Sequence, residues 1–106
     1  MSHPHVAEIV TFRLNKGADP AAFVRAAQAL ETTLTASGHV LGRTLSQGPD
    51  GQWTDHIIWS DLQTAKDMAE KIMSDPIAAP MMAMIDPEST VMRHTGIHYM
   101  KGSNAP

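Results

Sequence analysis

The stretch Trp53-Thr-Asp-His-Ile-Ile-Trp59 sets a carboxylate between two tryptophans at alternate positions, so Trp53, Asp55, Ile57 and Trp59 share one face of a strand. Aspartate is depleted in strands, and between large aromatics it needs solvent, a cation or a ligand. Two readings follow: Asp55 contacts a ligand or orients a histidine, or it pairs with Arg43 or Arg93. His94 is the candidate pocket base or, alternatively, a hydrogen-bonded interior histidine. Trp53 and Trp59 are either core or the walls of a ligand platform. Met68, Met73, Met81, Met82 and Met84 crowd the second half of the chain. They fill gaps in a core, or they line a wall that adapts to flat apolar ligands, with Met68 and Met81 the candidate contacts.

Other chemistries find little support. His94 and His98 stand four residues apart, but Thr95, Ile97 and Tyr99 mark a strand. Four strand residues span about 13 Å, too far for one ion whose bonds are about 2 Å long. No metal and no cofactor is expected. The chain has no cysteine, which excludes thiolate catalysis, disulfides and Cys-ligated zinc. No phosphate-cradling glycine loop or nucleophile elbow is present, and His3 and His5 read as tail residues. Eight basic against eleven acidic residues, a net charge of −3, leave no footprint for nucleic acid or an anionic membrane. Without a long apolar run or a signal pattern, the expectation is a cytoplasmic protein with no membrane partner.

These residues need elements to position them, and 106 residues suffice for one domain, expected over 5–100 with tails at 1–4 and 101–106. Val6 to Leu14 reads as a first strand. Asp19-Pro20 starts a helix whose stripe of Phe23, Ala27, Leu30 and Leu34 runs to about Ser37, before Gly38. Val40 to Gln47 is a second strand, joined to the tryptophan strand by the turn Gly48-Pro-Asp-Gly51. Ser60 and Gln63 form a capping box for a helix from Leu62 to Met73. Ser74-Asp75-Pro76 breaks it, and Ile77 to Ile85 is a helical extension interrupted by Pro80. After the turn Asp86-Pro87-Glu88, Thr90 to Met100 is the last strand. The order β-α-β-β-α-β predicts an α+β, ferredoxin-like fold: a four-stranded antiparallel sheet with both helices on one face. Neither strand face is plainly polar, so a second copy is expected to cover the other face and make a homodimer.

Glu8-Ile-Val-Thr-Phe-Arg-Leu-Asn-Lys-Gly17 with Asp19 and Phe23, Trp53-Thr-Asp-His-Ile-Ile-Trp-Ser60, and Val91-Met-Arg-His-Thr95 together resemble the dimeric α/β-barrel superfamily, which includes antibiotic-biosynthesis-type monooxygenases and stress-responsive barrel proteins. The resemblance spans Val6 to Met100. It implies two sheets closing into a barrel at the dimer interface, with a pocket between sheet and helices in each subunit. The haem-degrading branch uses an Asn on the first strand, which this chain lacks there, so no haem is expected.

Two functions are compatible with this reading. One is a cofactor-independent monooxygenase for a small aromatic or polyketide-like substrate, with His94 as base or donor, Asp55 as its orienter or a ligand contact, and the tryptophans as walls. The other is a non-catalytic dimer that binds a small hydrophobic molecule or serves in stress physiology.

Overall fold

The computed structural model describes residues 5–101; His3 and nearly all of the expected tails lie outside them. Four strands, β1 (Val6–Phe12), β2 (Val40–Gln47), β3 (Trp53–Trp59) and β4 (Val91–Gly96), form one sheet in the order β2-β3-β1-β4. All three pairings are antiparallel. With α1 (Pro20–Gln28), α2 (Glu31–Ala36), α3 (Leu62–Met73) and α4 (Ala79–Met84), this is the expected α+β ferredoxin-like arrangement.

Alternation along β3 is complete: Trp53, Asp55, Ile57 and Trp59 are buried, and the residues between them are half-buried. Phe12 of β1, Phe23 of α1 and Trp53 stack edge to face, with ring centroids 5.5 and 5.1 Å apart, and anchor the core at one end of the sheet. Leu30, Leu34, Ala65 and Met68 continue that core.

Several boundaries differ from expectation, each for a local reason. The first helix breaks after Gln28 instead of running to Ser37. The Ala27 carbonyl at that point accepts from Arg43 Nη1 at 2.9 Å, and the Leu30 amide tightens onto the same carbonyl at 3.2 Å. A side chain inserted into the i to i−4 ladder is a recognised cause of such a break.

The capping box also fails. Asp61, extended at φ −159°, caps α3 by accepting from the Thr64 amide at 2.8 Å, while the Ser60 hydroxyl meets His39 Nδ1 at 2.9 Å. Pro80 does not interrupt a helix, because it sits in the first turn of α4, where its missing N–H costs nothing. A single 3-10 turn, Pro76–Ala78, precedes it, capped by Asp75.

Strand β1 stops at Phe12 because the chain then leaves the sheet for the segment after α4: the Asn15 amide reaches the Met84 carbonyl at 2.8 Å, and the Asp86 amide the Arg13 carbonyl at 2.9 Å. Strand β4 ends at Gly96, not Met100, opposite Val6 where β1 begins, and the Ile97 amide still donates to the His5 carbonyl at 2.8 Å. His98 therefore lies beyond the strand.

Candidate functional site

Register puts four residues in one row across the helix-facing side of the sheet: Arg43 of β2 opposite Ile57 of β3, Ile57 opposite Glu8 of β1, and Glu8 opposite His94 of β4. The next row carries Leu45, Asp55, Val10 and Met92. Two carboxylates, Glu8 and Asp55, thus lie diagonally on adjacent strands, both buried at 5% and 8% exposure. Neither escapes partners. Arg43 grips Asp55 with a fork, Nε to Oδ1 at 3.0 Å and Nη2 to Oδ2 at 2.7 Å, while its Nη1 holds the Ala27 carbonyl. Glu8 pairs instead with His94, Oε2 to Nε2 at 2.8 Å, and accepts from Trp59 Nε1 at 3.4 Å.

Beside these rows opens a cavity of about 680 Å³. Its walls are Val10, Phe12 and Ile57 from the sheet, Leu30 and Leu34 from the first helical layer, Ala69, Ile72 and Met73 from α3, and Met81, Met82 and Ile85 from α4 and its exit. Glu8, Arg43 and Asp55 give this apolar space a polar patch on the sheet side. Met73, Met82 and Met92 border it while remaining solvent-exposed, which places flexible thioethers at its rim. The volume is in the range of small-molecule sites, and such sites combine apolar walls with a few fixed polar groups.

Of the residues singled out from sequence, Asp55, Met73, Met81 and Met82 border the cavity. Asp55 and His94 do not pair: each takes a different partner, and His94 touches the cavity's wall only through Glu8. Trp53, Trp59 and Met68 belong to the core cluster and do not line the cavity, with Trp59 fully buried. Glu8 and the cavity position of Arg43 were not foreseen. The signal for Glu8 was available, since the argument that singled out Asp55, an acid at an inward strand position, applies equally to it.

Among the described residues, no group of three His, Asp or Glu side chains could hold a metal ion. No described helix is long and apolar enough to cross a membrane.

No family model matches the chain, and no curated protein does either. Solved structures do. A point variant of SnoaB, a cofactor-independent oxygenase from Streptomyces nogalater, superposes with a TM-score of 0.74 at 13% identity, covering 92% of this chain and 96% of that one. A Caulobacter crescentus protein labelled an antibiotic biosynthesis monooxygenase gives 0.70 at 12% identity, covering 92% of each chain. A nipsnap family protein of unknown function from Agrobacterium tumefaciens gives 0.63 at 20% identity, covering 92% and 94%. At these identities the likeness is one of architecture: the chain has the ferredoxin-like fold found in antibiotic-biosynthesis-monooxygenase-like proteins.

Proposed function

We propose that this protein is a cofactor-independent monooxygenase that acts, as a homodimer, on a small aromatic, phenolic or polyketide-like substrate. The observation that carries the reading is the apolar cavity with two buried carboxylates and a guanidinium on its sheet wall. In this chemistry a substrate methylene loses a proton, and the resulting anion reduces dioxygen. The two carbon–hydrogen bonds are replaced by one carbonyl while the second oxygen atom leaves as water, so no external reductant is consumed. The protein's contribution is a dry site, a proton acceptor and donors for the anion. Asp55, fixed by Arg43, and His94, acting through Glu8, supply the polar end; Met81 forms a wall, and Trp53, Trp59 and Met68 belong to the core. The likeness to SnoaB, a cofactor-independent oxygenase, supports the choice of reaction.

The dimer rests on the sheet's other face, where Ile9, Thr11, Thr54, His56 and Ile58 stand opposite the helical layer. A second copy covers them. Sedimentation should return a dimer's mass at micromolar concentration; a monomer's mass ends that part of the reading.

A non-catalytic binder is the second reading, favoured by the complete engagement of Asp55 with Arg43. The deciding experiment measures oxygen uptake with a panel of anthrone-like and phenolic compounds, alongside tryptophan emission. Uptake that is lost in His94→Ala supports the enzyme. Quenching of emission, weakened in Trp59→Phe, without uptake by the wild type supports the binder.

A further inference from the structure

Glu8 and Asp55 are equally buried and border the same cavity, yet their partners differ in kind. Arg43 carries a permanent charge and places one N–H on each Asp55 oxygen, so that carboxylate is held as an internal salt. Glu8 meets no guanidinium or ammonium among the described residues. Its contacts are an indole N–H, at the long distance of 3.4 Å, and an imidazole nitrogen at 2.8 Å. A carboxylate offers about four lone-pair positions, so these two contacts leave acceptor capacity on a group that borders an apolar cavity. The cavity is lined mainly by hydrocarbon and thioether groups, where an acidic ligand hydrogen finds few other acceptors.

We infer that Glu8 is the proton acceptor of this site, with His94 and Trp59 as the positioning residues that fix its carboxylate, and that the ligand is an aromatic compound bearing an acidic O–H or C–H. The inference rests on the cavity reading above and names the residue that starts the reaction. In the step, the ligand's O–H or C–H bond breaks heterolytically, its electron pair stays on the ligand and delocalises over the rings, and the proton forms a new O–H bond at Glu8. No oxidant is consumed in this step. His94, on the edge strand with its side chain 19% exposed, lies on the solvent side of Glu8. From there it holds the carboxylate without itself lining the cavity.

The test uses the whole protein and anthrone under anaerobic conditions, which separates proton transfer from oxygen chemistry. Tryptophan emission reports binding, and visible absorbance reports the anthrone anion. Wild type should bind and show the anion at a pH where free anthrone is neutral. Glu8→Gln should still bind but lose the anion, and in air its turnover should fall about 100-fold or more; Glu8→Asp should restore part of both. His94→Gln should keep the anion while altering the pH profile of turnover. A second readout needs no variant: infrared difference spectra of wild type labelled with carbon-13 glutamate should show a protonated carboxyl band that moves with the label, because Glu8 is the one buried glutamate among the described residues. An undiminished anion in Glu8→Gln, or a carboxyl band that ignores the label, overturns the assignment and leaves the cavity reading standing. Failure of the wild type to bind any compound of the panel removes both. Anion formation without oxygen uptake supports Glu8 and removes the oxygenase reading alone.

Discussion

On the β2–β3 side of the sheet a carboxylate is clamped by a guanidinium; on the β1–β4 side its diagonal neighbour is met by an imidazole and an indole. Depth does not distinguish the two, since Asp55 and Glu8 differ by three percentage points of exposure. Partner chemistry does. Arg43 also reaches across to the Ala27 carbonyl, so the Asp55 pair ties sheet to helix and sets the break between α1 and α2. The Glu8 pair ties only neighbouring strands. One pair is a brace and the other is the one we propose to be reactive, although both grow from an acid at an inward strand position.

The sharpest way to break this comparison is to remove the brace. Asp55→Ala leaves the Arg43 guanidinium, 16% exposed, without its counter-charge. It should lower stability by about 3 kcal/mol, the low end for breaking a buried pair because some solvent reaches the arginine. Replacing both partners, Asp55→Leu with Arg43→Met, should recover most of that loss, since the apolar pair leaves no unpaired charge. Urea midpoints measure both. A small loss in the single variant with a larger one in the double would show that the arginine's bond to Ala27, and not its pair with Asp55, is what the fold depends on.

The two halves of this comparison were unequally legible in the sequence. Pairing of Asp55 with Arg43 follows from a hairpin whose turn, Gly48 to Gly51, is written in local residues. The Glu8–His94 pair joins residues 86 apart, and its register depends on where β1 begins and β4 ends, which tertiary packing decides. Boundaries behaved likewise. Asp19 caps the helix start expected there, and Asp75 and Asp86, each likewise before a proline, cap short turns at the expected helix break and the expected turn, because each interaction is local. Ser60 and Asp61 are both good cap residues, and only His39, 21 residues earlier, removes the serine from the competition. Asp61→Ala should therefore cost about 1 kcal/mol and Ser60→Ala less. A larger loss in Ser60→Ala would mean that its bond to His39 matters more to the fold than the α3 cap.

The smallest expected effect belongs to a third acid–base pair, which shows what exposure does to the same chemistry. Arg13 Nη2 lies 3.3 Å from Asp50 Oδ2, and Nη1 donates to the Asp50 carbonyl at 2.8 Å, but the two side chains are 48% and 64% exposed. Water competes for both charges, and ordering two mobile side chains offsets much of the attraction. The turn that carries Asp50 also holds itself: the Gln52 amide donates to Asp50 Oδ1 at 3.1 Å, Gly48 and Gln52 close the hairpin at 2.8 Å, and Gly51 takes φ +89°, which a residue with a Cβ adopts only with strain. Arg13→Ala should thus change stability by about 0–1 kcal/mol, and the difference should shrink as salt rises. Urea melts at low and high ionic strength check this. A salt-insensitive loss approaching that of Asp55→Ala would mean that the hairpin tip is part of the cooperative core, and that partner chemistry, not exposure, ranks all three pairs.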